Sequence, residues 1–385
     1  MAPFDVDAIE LSALRERRSA KWREYAPDVL PSWVAEMDFP LAEPIATALH
    51  HAIDRSDTGY RSLTGLAQAL SIFASRSWDW SIDPVDIVVV PDVVSGLAHA
   101  VRVLTAPGDG VVINPPVYHP FFMVIKDMTE RTVVEAPMGR ATDGTYFFDL
   151  DSLESLFARP DVTAYIMSSP HNPTGNVPTR AELVQIAELA ERHDVAVISD
   201  EIHAPLVLPG ATHVPYLTVV PPTARAVTVL SASKAWNIPG LKCAQIVSTP
   251  AVSTDISRRL PLEMSFGTGH LGVIGQIAAY LAGEEWLQEV VGILDGNRRL
   301  VGDLLGASMP EAGYVAPEAS YLAWIDLREY GLGDDPAAVI LERAGLALSS
   351  GPSFGRQGRG FARLNFGTSP ALLAQIVDRL ASVVQ

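Results

Sequence analysis

The sequence predicts an α/β protein: a mostly parallel seven-stranded sheet with helices on both faces, joined to a smaller α+β domain. Two observations carry this. Short runs rich in Val and Ile recur through the middle of the chain, with amphipathic helical patterns between several of them. Buried apolar strands alternating with helices belong to a parallel sheet covered on both sides. After Leu271 the pattern changes to a long helical stretch followed by strands mixed with helices.

In chain order, strands are expected at Asp86–Pro91, Gly110–Asn114, Arg131–Ala136, Val162–Ser168, Val195–Asp200, Arg225–Ser231 and Cys243–Ser248. Helical spacing of apolar residues falls between them at Gly96–Leu104, Phe121–Thr129, Asp151–Ala158 and Arg180–His193. The smaller unit should hold one long helical region to about Leu305, strands at Tyr321–Asp326 and Phe361–Phe366, and helices at Pro336–Ala344 and Pro370–Val384. The expected division is 1–50 as an N-terminal segment packing with the small domain, 51–285 as the large domain, and 286–385 as the small one. In open sheets of this kind ligands bind outside the carboxyl ends of the strands.

Composition narrows the function. With 385 residues, 48% apolar and 19% charged, the chain is long enough for about two domains. Its single cysteine, Cys243, excludes a disulfide framework and any multi-cysteine metal site. The net charge of −17 argues against nucleic-acid or anionic-membrane partners, because phosphate neutralisation carries most of such affinity. The opening MAPFDVDAIELSALRERR lacks the apolar core of a secretory signal, and no run reaches the ~20 apolar residues of a membrane span. A cytoplasmic enzyme or binding protein is expected.

Several motifs fail on context. Gly351-Pro352-Ser353-Phe354-Gly355 matches the serine-hydrolase pattern, but that elbow needs a strand before the serine and a helix after it. Here a loop-like Arg356–Gly360 follows. No dinucleotide or P-loop fingerprint is present, and no HExxH. His50 and His51 lie on a polar helical stretch and read as a solvated face.

What remains is a set of polar groups at strand ends. Ser231-Ala232-Ser233-Lys234 directly follows the strand Val227–Leu230, and Lys242 lies just beyond. A lysine flanked by hydroxyls, with a second cation nearby, suits an imine to an aldehyde cofactor that carries a phosphate. Taken singly, the same residues are a Ser-rich turn with an exposed lysine. Asp200 ends the strand Val195–Ser199, where a carboxylate can keep a pyridine nitrogen protonated. Taken singly it is a turn former. Ser169-Pro170-His171-Asn172-Pro173-Thr174-Gly175 follows another strand, and its fixed turn can aim Asn172 at a ring oxygen. Three strand ends, each suited to one edge of the same cofactor, favour the chemical reading.

These residues resemble a known family. The chain is similar to fold-type I pyridoxal-phosphate enzymes of the class I/II aminotransferase superfamily, and more closely to the MalY/PatB group of cystathionine and cysteine-S-conjugate β-lyases. The matching stretches are Trp33–Phe39, Pro115–Phe121, Pro170–Gly175, Ser199–His203, Ser231–Asn237, Gly240–Lys242 and Arg363–Phe366. The resemblance implies pyridoxal 5'-phosphate as cofactor, with Lys234 as Schiff-base lysine and general base, Asp200 at the pyridine nitrogen and Asn172 at the ring hydroxyl. It implies Tyr118 stacked on the ring, and Ser231, Ser233, Lys242 and the amides of Val93 and Val94 around the phosphate. Tyr60 resembles a tyrosine lent to the neighbouring subunit's phosphate, which implies a homodimer with shared sites. Arg363 resembles the arginine that grips the α-carboxylate of an amino acid substrate. His203 would tune the ring oxygen, relay protons or simply pack.

The implied activity is elimination of a thiol from an L-cysteine conjugate, with transamination as the alternative and a cofactor-bound regulatory role as a third. The chain departs from the group's pattern at Glu36, where Asp is usual, at Asp92, where Gly is common, and at Ala235-Trp236, where Thr-Phe is usual. These departures put substrate fit in question more than cofactor binding.

Overall fold

The computed structural model describes residues 4–384, so residues 1–3 and 385 of the expected terminal units lie outside it. All seven expected strands form one sheet. Its order across is Ile87–Val90, Ala244–Ser248, Ala226–Leu230, Ala196–Asp200, Val162–Ser168, Gly110–Ile113 and Thr132–Glu135. The four pairings from Ala226–Leu230 to Thr132–Glu135 run parallel. Ala244–Ser248 is antiparallel to both of its neighbours. Ile87–Val90 therefore points the same way as the parallel strands, and its carboxyl end lies at the same edge as Ser168, Asp200 and Leu230.

The helices cover both faces because their apolar stripes have somewhere to go. Val93–Leu104 packs Leu97, Ala98, Val101 and Leu104 into one cluster with Val90, Ile198, Val229 and Ile246. On the opposite face Arg180–Arg192 buries Leu183, Ile186 and Leu189 with Tyr165, Met167 and Val197. The latter helix starts where Thr179 and Glu182 cap each other's backbone N–H groups, at 3.2 and 2.8 Å, a reciprocal capping box.

The expected helix at Phe121–Thr129 is an α-helical turn, Pro120–Met123, that widens into a π-helical turn, Val124–Met128. The long helical region to Leu305 is two helices, His270–Ala282 and Glu284–Ser308. The break at Gly283 has a packing cause: a Cβ there would meet the Trp236 ring at 2.4 Å, and the Trp236 indole donates to the Gly283 carbonyl at 2.9 Å. Helices Glu43–Asp54 and Leu66–Trp78 precede the first strand of the sheet. His50 and His51 are exposed on the first of them, as their polar setting suggests.

Toward the C-terminus a four-stranded antiparallel sheet has the order Gly313–Tyr314, Leu322–Asp326, Phe361–Asn365, Ser349–Ser350. Arg363 sits in its middle, opposite Trp324 on one side and Ser349 on the other. The N-terminal residues Leu30–Pro31 pair in parallel with Leu346–Ala347, which ties the start of the chain to this unit. Among the described residues no helix is long and apolar enough to cross a membrane.

The GxSxG stretch is not a nucleophile elbow. Gly351–Phe354 is a 3₁₀ turn, and the Ser353 hydroxyl donates to the Ser350 carbonyl at 2.6 Å. The glycine is needed for close backbone approach, since a Cβ on Gly351 would lie 2.1 Å from the Gly358 oxygen and 2.2 Å from that of Phe361. Gly351→Ala should therefore destabilise by ~1–3 kcal/mol or more, as overpacking does. A thermal scan should show a lower midpoint for Gly351→Ala, and an unchanged one for Ser353→Ala, whose side chain is exposed.

Candidate active site

The polar strand ends converge on one cavity of about 630 Å³. Its wall includes Lys234, Asp200, Asn172, Tyr118 and His203 together with Arg363 from the C-terminal sheet. Val93, Val94, Ser233 and Lys242 line it as well. Thus ten of the residues singled out from the sequence share one space. Ser231 and Tyr60 do not. The Ser231 hydroxyl donates to the Cys243 carbonyl at 2.8 Å and accepts from Ser233 N–H at 3.1 Å and Gln276 Nε2 at 3.0 Å, so it shapes the turn from behind the wall. Tyr60 is 95% exposed on the surface.

Lys234 is half-buried in the cavity wall, and its Nζ donates to the Ala35 carbonyl at 2.7 Å. Burial, reinforced by the Arg363 charge, brings its amine down to about 8, in spite of the opposing pull of Glu36 and Asp200. Asp200 is moved the other way. Burial, with a contribution from Glu201, pushes its carboxyl up to about 7, although Ile202 N–H donates to Oδ1 at 3.1 Å. A buried carboxylate with so little compensation favours a cationic N–H partner in the cavity it lines.

Arg363 is only 5% exposed. Its Nη1 donates to Asn172 Oδ1 at 2.9 Å, and its Nη2 to the Trp33 carbonyl and Ser349 Oγ, each at 3.0 Å. The Nε is buried with no acceptor, and the guanidinium lies 4.9 Å over the Phe354 ring. With burial lowering its pKa to about 10 it is still a cation at neutral pH, and it fits a carboxylate. The fork holds the Asn172 oxygen, so the amide nitrogen of that side chain is the end left to donate.

His203 contacts Ser320 Oγ through Nδ1 at 3.1 Å. Burial, with Lys234 and Arg363 nearby, brings it down to about 3, so it is neutral. Burial likewise pushes the Tyr118 hydroxyl up to about 12.

At the other end of the cavity the helix Val93–Leu104 begins. Its first-turn amides have no intrahelical acceptors, which makes a place for an anion. Asp92 caps this helix through Ser95 N–H at 2.8 Å and pairs with Lys242 Nζ at 3.0 Å. Burial works to raise Asp92, but the Ser95 and Lys242 contacts outweigh it and hold the carboxyl low. Lys242 is thus partly neutralised by the residue that departs from the group's usual glycine.

The other departures lie off the cavity. Ala235 and Trp236 are fully buried in the core, and Glu36 accepts from Ser19 Oγ at 2.5 Å in an adjoining space. The substitutions at 235 and 236 therefore bear on packing, contrary to the expectation that they bear on substrate fit. Sequence reasoning missed Trp33, Ala35 and Ser349 as parts of the site, since their roles rest on a backbone carbonyl or on register across a sheet. It also missed Tyr25, Met123, Met128 and Leu348, which carry no motif.

An α/β frame with helices on both faces of its sheet, and with an amine, a buried carboxylate and a buried guanidinium in one cavity, defines an enzyme of amino acid chemistry. The chain belongs to the aminotransferase class I and II family, whose sequence profile matches residues 34–380. It is 42% identical over 401 residues to a Mycobacterium leprae protein provisionally named cystathionine beta-lyase, covering 99% of this chain and 98% of that one. It is 34% identical over 382 residues to the cystathionine beta-lyase of Corynebacterium glutamicum, covering 97% and 99%. Among solved structures it resembles cystalysin from Treponema denticola, which contains a pyridoxal 5'-phosphate cofactor, with a TM-score of 0.91, 27% identity and coverage of 99% and 98%.

The lowered Lys234 amine has a direct consequence. In cofactor-free protein an amine-directed reagent should modify Lys234 with a midpoint near pH 8, against about 10.4 for an ordinary lysine. Reactivity should rise with pH, because the neutral form reacts. Peptide mapping of the modified protein checks this; a midpoint above 10 would show that burial does not act on this amine.

Proposed function

We propose that this protein is a pyridoxal-phosphate-dependent C–S β-lyase that cleaves L-cystathionine or related L-cysteine conjugates. The observation that supports it most directly is the depressed amine of Lys234, in one cavity with Asp200 and Arg363, on a chain whose relatives carry lyase names. The net reaction takes a conjugate and water to thiol, pyruvate and ammonia.

The residues present fit the cofactor. Asp200 would hold the ring nitrogen, Asn172 the ring hydroxyl and Tyr118 a ring face, with His203 beside them. Val93 and Val94 amides, Ser233 and Lys242 would hold the phosphate, with Ser231 bracing the turn. When bound, pyridoxal phosphate supplies a sink for the electron pair left on the substrate's α-carbon.

The chain's own side chains do the rest. Arg363 fixes the α-carboxylate and so orients the α-C–H bond. Lys234, neutral above about pH 8 and partly so below it, takes the α-proton as general base. The β-carbon then releases the thiolate with its bonding pair, and the proton on Lys234 is at hand for it. Burial of Arg363 and Asp200, at 5% and 4% exposure, strengthens the electrostatic terms around the half-buried Lys234.

The same reading includes a homodimer in the cytoplasm, with Tyr60 serving the partner's site. Supporting this, Tyr60 is 95% exposed and its neighbour Arg61 bonds the Ser265 carbonyl, beside Phe266 at 67% exposure. It also includes the division of the chain into 1–50, 51–285 and 286–385, with the break at Gly283 near the second boundary.

Two measurements test the chemistry. With L-cystathionine or another cysteine conjugate and no 2-oxo acid, thiol, pyruvate and ammonia should appear in equal amounts over many turnovers. A single burst that resumes only when an oxo acid is added would sink the lyase reading and leave an aminotransferase. Arg363→Ala should lower kcat/KM for every amino acid substrate by ~10²-fold, the worth of a charge-assisted bidentate contact.

The shared site has its own test. A Lys234→Ala chain and a Tyr60→Phe chain, each inactive alone, should regain partial activity on mixing, since one site of the heterodimer is then intact in both residues. No recovery despite confirmed subunit exchange would rule out that role for Tyr60.

A further inference from the structure

We infer that Asp92 is an internal competitor of the cofactor's phosphate. Its carboxylate occupies donors that would otherwise hold the dianion, and so lowers affinity for pyridoxal phosphate and speeds its release. This rests on the reading that Lys242 and the first turn of helix Val93–Leu104 hold that phosphate.

The start of a helix offers free N–H groups and the positive end of the helix dipole, worth about half a unit charge. Asp92 takes one of those amides, with Oδ1 accepting from Ser95 N–H at 2.8 Å. Its Oδ2 accepts from Lys242 Nζ at 3.0 Å. One carboxylate thus spans a helix amide and a lysine, the two kinds of donor that a phosphate at this end of the cavity would use. The amides of Val93 and Val94 and the Ser233 side chain are left for the cofactor.

Asp92 also keeps its charge throughout the neutral range. Burial works to raise its carboxyl, but Ser95 N–H and Lys242 hold it low. Lys242 is pinned at its backbone, in the left-handed region at φ 54°, with its carbonyl accepting from Gly269 N–H at 3.0 Å. Its side chain is 57% exposed and has room to turn. An arriving phosphate either shares Lys242 with Asp92 or draws it away. In both cases the dianion faces the carboxylate of the residue next to Val93, and like charges so placed disfavour each other.

Capping alone does not account for a carboxylate here. Asn or Ser caps a helix about as well as Asp and adds no charge. The negative charge is therefore a separate property of this position, and its effect falls on whatever anion binds beside it.

The experiment follows cofactor release from the holoenzyme by loss of its visible absorption, with alkaline phosphatase added to destroy what is freed. Equilibrium titration of the cofactor-free full chain gives Kd for pyridoxal 5'-phosphate and for pyridoxal, which lacks the phosphate. Asp92→Asn should tighten pyridoxal 5'-phosphate by ~5-fold or more, seen mainly as slower release. Pyridoxal should bind the wild type and the variant alike. Damage to the fold would weaken binding, so the sign of the change separates competition from a structural role. A residue lent by a neighbouring subunit meets both proteins equally, and the comparison does not depend on it.

Asp92→Ser, a neutral cap of different shape, should tighten binding as well. Unchanged or weaker binding of pyridoxal 5'-phosphate in Asp92→Asn, or in Asp92→Ser should the former not fold, overturns the inference. Equal tightening of pyridoxal overturns it too, since the effect is then not on the phosphate. Lys242→Ala keeps these failures apart from failure of the reading beneath them. If that variant binds pyridoxal 5'-phosphate as the wild type does, the assignment of Lys242 to the phosphate fails first.

Discussion

The segment Trp33–Phe39 has no regular secondary structure, yet it is largely buried, and a buried backbone must have its carbonyls and N–H groups satisfied. Side chains from both halves of the molecule do this. Asn365 donates to the carbonyls of Val34 and Glu36, each at 2.7 Å, and Tyr321 to that of Ala35 at 3.0 Å. Asn237 donates to the Met37 carbonyl and accepts its N–H, both at 2.8 Å. From the N-terminal side Lys21 reaches the Glu36 carbonyl at 3.1 Å and pairs with the buried Asp38 at 2.8 Å. Two further donors are Lys234 and Arg363, the proposed base and the proposed carboxylate grip. The demand that holds this segment in place thus also fixes the distance between the groups that handle the substrate.

That arrangement explains why the site's charges are tuned as they are. Lys234 and Arg363 are two cations brought into one cavity, each donating to a backbone carbonyl. Desolvation and mutual repulsion lower Lys234 to about 8, while Asp200, buried among fewer donors, rises to about 7. An amine and a carboxyl whose ordinary values differ by more than six units are brought to nearly the same range. For catalysis this is useful, since a base works best when its pKa lies near the working pH. For folding it is a cost: the unfolded chain takes up the Lys234 proton first, so stability falls as pH drops from about 10.4 to about 8 and is flat with respect to this group below that.

Much of this was legible in the sequence, and the reasons are specific. The strands of the large sheet lie within about a residue of their expected ends, because runs such as Val195–Asp200 are buried on both faces and leave no choice of register. Lys234, Asp200 and Asn172 could be read because each follows such a strand directly. The break at Gly283 could not, because it depends on Trp236, almost fifty residues earlier in the chain. Nor could the demotion of Ser231 from cavity wall to brace, which depends on Gln276 and on the carbonyl of Cys243. Helix Leu66–Trp78 was missed too, although it buries Leu66, Leu70 and Phe73 at helical spacing. Local pattern reports the element, and long-range contact decides which way a polar group turns.

His203 shows how far geometry refines a role that the sequence left open. It was placed either at the ring oxygen, in a proton relay or in simple packing. A relay through an imidazolium requires a pKa near the working pH, and burial beside two cations puts this one at about 3. Its Nδ1 is engaged with Ser320, and its ring meets Tyr321 at 6.2 Å and 71°. Tyr321 in turn donates to the Ala35 carbonyl that also receives Lys234. The neutral ring is therefore a fixed hydrogen-bonding wall of the cavity, connected through Tyr321 to the same carbonyl as the base. Lys234 and Asp200 are the cavity groups brought to about 8 and about 7, and of the two the amine is the one proposed as the base.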